Sequence, residues 1–149
     1  VFDIHLPVDE AGFIALHFVN AEDGEQNNDN YQIALIVNQI PEIVKNYFSD
    51  ITFNESSLYY QRFLTHLKYF AQRYLHKELQ YEEDERLFQI IQEQCREAYG
   101  CVKLIYLMME EKYHYALSKE EMMYLSIHIQ TNVDKSRIFM KHAEEHNEK

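Results

Sequence analysis

The chain has 149 residues, of which 46% are hydrophobic, enough for one domain with a sizeable core and too many for a disordered chain. Its formal charge of −11 argues against direct binding to nucleic acid, because the phosphate backbone would repel it. Cys95 and Cys101 have neither a metal-site spacing nor a disulfide pattern, and no stretch reads as a signal peptide or a membrane span. We therefore expect a soluble, cytoplasmic protein with reduced thiols.

The apolar residues recur at helical spacing, and only three glycines and two prolines are present to form tight turns. This pattern predicts an all-α bundle of about five helices, paired antiparallel where the connections are short. The helices are predicted over residues 31–50, 54–77, 81–99, 102–115 and 118–133. We expect Asp29 or Asn30 to cap the first helix, Asn54 to cap the second, and Gly100 to bend the chain.

One segment occurs almost twice, over residues 7–20 and 118–131. Each copy has an acidic pair, then an aromatic residue four positions before a histidine, His17 or His128. A repeat of domain length suggests one complete unit preceded by the last helix of an earlier unit. The predicted organisation is a leftover helix over 1–22, a polar linker over 23–30, a complete domain over 31–133 and a charged C-terminal extension over 134–149.

The helix that carries His128 begins with Ser118 and Glu121, which have the spacing of a capping box. His128 lies on a polar stripe between two apolar flanks, so it is expected at a seam between neighbouring helices. The first flank consists of Met122, Leu125, Ile129 and Val133, and the second of Met123, Tyr124 and Ile127.

A second histidine, His66, has Arg62 one helical turn before it and Arg73 two turns after it. Two permanent cations would lower the pKa of the imidazole and keep it neutral and nucleophilic near pH 7. Guanidinium groups would also bind a phosphorylated histidine, because they form bidentate bonds to phosphoryl oxygens. The alternative is that both arginines pair with nearby glutamates and His66 fills a boundary position.

Residues 62–73 (RFLTHLKYFAQR) and 121–128 (EMMYLSIH) closely resemble the second regulatory domain of transcriptional antiterminators of the BglG/LicT/SacY type. These domains are called PTS regulation domains (PRDs). Residues 9–21 (DEAGFIALHFVNA) resemble the closing helix of the first such domain, so the resemblance covers essentially the whole chain. It implies a homodimer whose histidines are phosphorylated by the sugar phosphotransferase system, with His66, His128 and His17 as phosphoacceptors.

The resemblance also implies the partners, which are the histidine-containing phosphocarrier protein and a sugar-specific enzyme II. Phosphorylation of the second domain is expected to favour the active dimer, whereas enzyme II would act on the first domain to inhibit. RNA would be bound only through an N-terminal domain that this sequence does not include. No cofactor is expected.

Two other classes of protein stay open. The same domain occurs in DNA-binding transcriptional activators. A metal-binding helical bundle would use Glu111 and His114, but this Glu-x-x-His motif occurs once where two copies are needed, and His142 with His146 would bind an ion only weakly. We assign no metal site. No glycine-rich phosphate loop or nucleophile elbow indicates an enzyme.

Overall fold

The computed structural model describes residues 24–76 and 84–147, with side chains from Asn28 onward. Five helices follow one another there: α1 (Gly24–Tyr47), α2 (Leu58–His76), α3 (Glu85–Gln94), α4 (Arg96–Tyr113) and α5 (Lys119–Asn147). The described residues form no strand, so the prediction of an all-α bundle of about five helices is confirmed. The helix predicted over residues 1–22 lies outside the described residues. None of the five helices combines the length and the apolar character that a bilayer span requires.

The hydrophobic core lies between α1, α2, α4 and α5. Each of these helices contributes side chains that are almost completely inaccessible to water, and their burial is the main stabilising term of the fold. The largest of them are Ile36, Ile40, Phe63, Leu67, Phe70, Ile105, Met109, Leu125 and Ile129.

The helices α2 and α5 pack antiparallel. At the start of α2, the carbonyl oxygen of Tyr59 accepts a hydrogen bond of 3.2 Å from Asn132, which lies well inside α5. Towards the end of α2, the ring of Phe70 lies 6.0 Å from that of Tyr115, which precedes α5. Residues midway between these two contacts therefore face one another across the α2–α5 seam.

The start of α5 is fixed by the predicted capping box, which is confirmed. The backbone N–H of Glu121 donates to Ser118 Oγ at 3.0 Å, and the backbone N–H of Ser118 donates to Glu121 Oε1 at 2.9 Å. The hydroxyl group of Tyr115 donates to the same carboxylate at 2.9 Å. Burial and the neighbouring Glu121 carboxylate raise the pKa of Tyr115, so its hydroxyl group stays protonated as a donor.

The helix α1 begins at Gly24, so the loop conformation expected for residues 23–30 is wrong within the described part, whereas the assignment of these residues as a linker between two domains stays a prediction. Asp29 and Asn30, which were expected to cap a helix beginning at residue 31, lie inside α1. Asparagine costs less than about 1 kcal/mol relative to alanine inside a helix, and extending an existing helix adds one hydrogen bond for each residue fixed. The polar segment is therefore added to the helix that follows it.

The cap of α2 is Ser57, not Asn54. Ser57 Oγ accepts a hydrogen bond of 3.1 Å from the backbone N–H of Tyr60. The side chain of Asn54 instead accepts one of 3.2 Å from the backbone N–H of Ser56 and so forms a turn ahead of the helix. The side chains of Asn54 and Ser57 can both accept hydrogen bonds from nearby backbone N–H groups. Ser57 immediately precedes Leu58, the first residue of α2, and is therefore the one that caps the helix.

The chain breaks between α3 and α4 at Cys95 (φ −115°, ψ 45°), and α4 continues through Gly100, so the predicted bend at Gly100 is wrong. A Cβ atom added at Gly100 would clash with the hydroxyl group of Tyr47, so the glycine leaves room for this side chain of α1 against α4. Cys95 provides no side-chain cap for α4. Gln130 of α5 does so instead, because its Oε1 atom accepts a hydrogen bond of 3.1 Å from the backbone N–H of Ala98.

The last helix is longer than predicted. We expected it to end near Val133, but α5 continues to Asn147. Arg137 connects this added length to α4 through bidentate hydrogen bonds of 2.7 and 2.8 Å to the carboxylate of Glu97. The segment that was predicted as a charged extension is thus, over its described residues, a continuation of the helix that carries His128.

Candidate functional site

Two histidines lie side by side at the α2–α5 seam. The ring centroids of His66, from α2, and His128, from α5, are 4.8 Å apart, and the ring planes are inclined by 39°. The ring of Tyr124, one turn before His128, lies 5.2 Å from that of His66. On the α2 side, the ring of Phe63 lies 6.3 Å from His128. The antiparallel packing of the two helices therefore brings together the two histidines that the sequence singles out.

Both imidazole rings are half-buried, as expected for residues at a seam between helices. Neither ring makes a hydrogen bond or an ion pair with the described part of the chain; their contacts there are with other rings. Buried histidines usually have a hydrogen-bond partner. These two rings are only half-buried, and their nitrogens have no partner among the described residues, so an incoming group would displace no hydrogen bond to that part of the chain.

Both histidines are held in the neutral form. Burial, together with the smaller effects of the positive fields of His128 and Arg73, lowers the pKa of His66 from 6.5 to about 4. Burial, with the charge of Arg62, also lowers the pKa of His128. A neutral imidazole has one nitrogen with a free lone pair, so at pH 7 each ring can act as a nucleophile. The sequence attributed this neutrality to the arginines, but burial is the larger cause.

The two arginines are divided between the two histidines. Arg62 lies towards the end of α2 that contacts Asn132, whereas Arg73 lies towards the end that contacts Tyr115. In agreement with these positions, Arg62 acts on the pKa of His128, and Arg73 acts on that of His66. The sequence spacing had grouped both arginines around His66, so the structure corrects this point.

The arginines are not neutralised by the described part of the chain. Neither Arg62 nor Arg73 forms an ion pair with a described carboxylate, so the alternative of arginine–glutamate pairing finds no support within residues 28–76 and 84–147. The cations that do form such pairs among the described residues lie elsewhere and are Lys45 with Glu55, Lys119 with Glu85, and Arg137 with Glu97. Both guanidinium groups can therefore interact with an added anion.

A buried amide holds α5 against α2 beside the pair. Asn132 is 4% exposed, and its side-chain NH₂ group donates to the carbonyl oxygens of Tyr59 at 3.2 Å and His128 at 2.9 Å. Sequence reasoning gave neither Asn132 nor Tyr124 a role at the site. Their spacing of four residues from His128, one after it and one before it, is the signal that would have identified them.

The remaining candidate residues that the structure describes do not join this site. His17 lies outside the described residues. His114 is exposed and ends α4 in the left-handed conformation (φ 52°), and His142, near the end of α5, lies 3.9 Å from Glu145. Over residues 28–76 and 84–147, no group of three or more His, Cys, Asp or Glu side chains is arranged to hold a metal ion.

Comparison with known proteins identifies the family of this chain. A family model described as "PRD domain" matches residues 36–132. Transcription antiterminator LicT of Bacillus subtilis is 44% identical over 127 residues, which are 85% of this chain and 46% of LicT. A beta-glucoside operon antiterminator of Dickeya chrysanthemi is 42% identical, with 85% of this chain and 44% of that protein covered. Protein GlcT of Staphylococcus aureus (strain JH9) is 32% identical over 130 residues, with 85% and 44% covered.

The matched segment contains α2, the first part of α5 and both facing histidines. It spans more than half of the chain, which therefore belongs to the PRD domain family. Within that family it is similar to the PRDs of the LicT type of antiterminator, so the resemblance found in the sequence is confirmed. The chain spans less than half the length of each of these three relatives.

Proposed function

We propose that this chain is the phosphorylation-controlled regulatory part of a bacterial transcriptional antiterminator and that His66 and His128 are its phosphoacceptors. The observation that carries the proposal is the facing pair of neutral, half-buried imidazoles, each within the field of an arginine that no described carboxylate neutralises. The family match and the printed names of three relatives support the regulatory role in antitermination.

The proposed reaction is a transfer between two histidines. The lone pair of a neutral imidazole nitrogen attacks the phosphorus atom of a phosphohistidine on the phosphocarrier protein, and the N–P bond of the donor breaks as the new N–P bond forms. The donor supplies the driving energy, so this chain needs only an accessible nucleophile and nearby cations. Arg73 would bind the phosphoryl oxygens on His66, and Arg62 those on His128.

Regulation would follow from the added charge. A phosphoryl group brings about −1.5 to −2 charges to a chain whose net charge is already −11. Such a change at the α2–α5 seam favours whichever arrangement of a homodimer brings cations to it, and so switches the dimer between two states. Enzyme II would act on His17 in the preceding domain, and RNA would be bound by the N-terminal part of the full-length protein.

The test is phosphorylation of the full-length protein by the phosphorylated carrier protein, followed by mass mapping under alkaline conditions, in which the N–P bond survives. We expect the label on His66, His128 or both. The variants His66→Ala and His128→Ala should each lose the label at the substituted position. The variant His142→Ala, which removes an exposed histidine from α5, the helix of His128, should lose none. Label on neither His66 nor His128 would refute the proposal.

The division of the arginines gives a second test. Arg73→Ala should reduce incorporation at His66 more than at His128, and Arg62→Ala should do the reverse, because each removes the cation nearer to one phosphoryl position. Arg86→Ala, which changes an exposed arginine on α3, is the matched control. Equal losses at both histidines from either substitution would contradict separate roles.

A further inference from the structure

The distance between the two rings has a consequence for the modified protein. At a centroid separation of 4.8 Å, any group added to one imidazole comes within direct electrostatic reach of the other. A charge within roughly 4–6 Å of a titratable group changes its protonation equilibrium. The half-buried position strengthens this interaction, because less water lies between the two groups to screen it.

The counter-ions available at this seam are few. The charged groups whose fields act on the pair are Arg62 and Arg73 of α2, and the titratable group that α5 brings against it is the phenol of Tyr124. Among the described residues, no carboxylate influences the protonation of either imidazole. The Glu121 carboxylate, on the same helix, already accepts hydrogen bonds from Ser118 and Tyr115.

We propose that His66 and His128 work as one site, in which the imidazole that is not phosphorylated takes up a proton and becomes the counter-ion of the phosphoryl group on the other. This inference rests on the proposed function. It adds a role that the phosphoacceptor assignment does not contain, because the second histidine acts as a cation and hydrogen-bond donor while the first carries the modification. The arrangement is reciprocal, since either ring can hold the phosphoryl group.

The proposal depends on a reversal of sign. In the unmodified protein each ring experiences burial and positive neighbours, and both disfavour the imidazolium form. A phosphoryl group on His66 places about −1.5 to −2 charges beside His128. This charge is larger than the single positive charge of Arg62, which lowers the pKa of His128 in the unmodified protein, so the net field at His128 becomes negative. The lone-pair nitrogen of His128 then takes a proton from solvent, and the resulting N–H group donates to a phosphoryl oxygen.

The direct experiment follows the ring signals of His128 by nitrogen-15 NMR during a pH titration of the full-length protein, before and after its phosphorylation on His66. We expect the midpoint of the His128 titration to rise by at least about one pH unit, the size of shift that a nearby opposite charge causes. The exposed His142 on the same helix is the internal control and should not shift. An unchanged or lower midpoint for His128, with the label on His66, would overturn the inference.

A second arm needs no phosphoryl transfer, which keeps failure of the inference distinct from failure of the proposed function. The variants His66→Asp and His66→Asn differ at this ring position chiefly in one negative charge. We expect a higher midpoint of the His128 titration in the aspartate variant than in the asparagine variant, and equal midpoints would overturn the inference.

If the aspartate variant does not fold, the titration of His128 in the phosphorylated wild-type protein tests the inference. If the wild-type protein accepts no phosphoryl group, the proposed function fails while the comparison of the two variants still tests the coupling.

The third readout is functional. His128→Gln keeps hydrogen-bonding capacity but cannot become a cation. At pH 7 it should lower the equilibrium constant for phosphorylation of His66, measured at a fixed ratio of phosphorylated to unphosphorylated carrier protein. The decrease is up to about tenfold for each unit of pKa shift that is lost with the imidazole of His128. The deficit should disappear at a pH where His128 of the wild-type protein is neutral, whereas His142→Gln should behave as the wild type at every pH. A deficit that does not change with pH would indicate a packing role only and would contradict the proposal.

Discussion

Tyr124 is the residue whose role is most directly open to test. Its ring lies 5.2 Å from that of His66, and the residue is 43% exposed, so it contacts the imidazole at the surface of the seam. Burial is the largest cause of the low pKa of His66. Tyr124→Ala should therefore raise this pKa from about 4 towards the ordinary value of 6.5, as measured by NMR titration.

Tyr124→Phe is the matched control, because it keeps the ring and should leave the pKa of His66 close to that of the wild type. If Tyr124→Ala, which removes the whole ring, also left the pKa of His66 unchanged, the burial of His66 would come from other residues alone. Tyr124 would then have no part in preparing the nucleophile.

Sequence reasoning at the scale of single residues identified His66, His128, Arg62 and Arg73 from a motif and from spacing along one helix. It could not divide the arginines, because that division depends on which residue of α5 stands opposite each turn of α2. The same limit explains Tyr124, which was assigned to an apolar flank and is exposed beside a histidine. Contacts between two helices that are distant in the chain depend on the tertiary structure and cannot be read from the spacing of residues along one helix.

At the scale of elements, the first turn of α5 is stabilised by more than an ordinary cap. Ser118→Ala should reduce the free energy of unfolding by about 1 kcal/mol, the usual cost of a lost N-cap. Glu121→Ala should cost more, because the hydroxyl group of Tyr115 and the N–H group of Ser118 would both lose their acceptor, at about 1–3 kcal/mol for each group that stays buried. Urea denaturation measures both values.

The comparison variant for this prediction is Glu144→Ala, near the exposed end of the same helix, which should change the free energy of unfolding by less than about 0.5 kcal/mol. A cost for Glu121→Ala that does not exceed that of Ser118→Ala would mean that the bond from Tyr115 contributes nothing to stability.

The approach of α1 to α4 gives a prediction for a pair of substitutions. Alanine is favoured over glycine inside a helix by about 1 kcal/mol, but the added Cβ of Gly100→Ala would meet the hydroxyl group of Tyr47. Gly100→Ala should therefore stabilise the protein more in the Tyr47→Phe background, which lacks that hydroxyl group, than in the wild type. Thermal unfolding of the four proteins in this double-mutant cycle measures the coupling. Equal effects in the two backgrounds would contradict the close approach.

The elements themselves were largely predictable, and the errors have local causes. Five helices could be found because apolar residues recur at helical spacing in each, although α3 buries only Phe88. The capping box of Ser118 and Glu121 is a local motif. The break at Cys95 was missed because the cap of α4 comes from Gln130, on another helix. The start of α2 was misplaced because Asn54 and Ser57 are both good caps, and only the three-dimensional turn selects between them.

For the whole molecule, the two neutral histidines predict how stability depends on pH. The pKa of His66 is lower in the folded protein, at about 4, than its ordinary value of 6.5, so between these values the unfolded chain binds more protons. The contribution of His66 to the free energy of unfolding is therefore fully present above pH 6.5 and is lost as the pH falls towards 4. His128 contributes in the same direction, since its pKa is also lowered.

Urea denaturation over this pH range should thus give a free energy of unfolding that falls with acidification. The double variant His66→Gln and His128→Gln should show a shallower fall, and His142→Gln should follow the wild type. An equally steep fall in the double variant would assign the acid sensitivity to carboxylates elsewhere in the chain.

The antiparallel seam of α2 and α5 also sets the order in which a new chain acquires its chemistry. A polypeptide that has left the ribosome only as far as α4 contains His66 but has neither Tyr124 nor His128 to place beside it. Its imidazole is then more hydrated and more basic than in the finished domain. An imidazole that is uncharged even in mildly acidic surroundings arises only when the last helix docks. Under the proposed function, readiness for modification would therefore signal that synthesis and folding are complete.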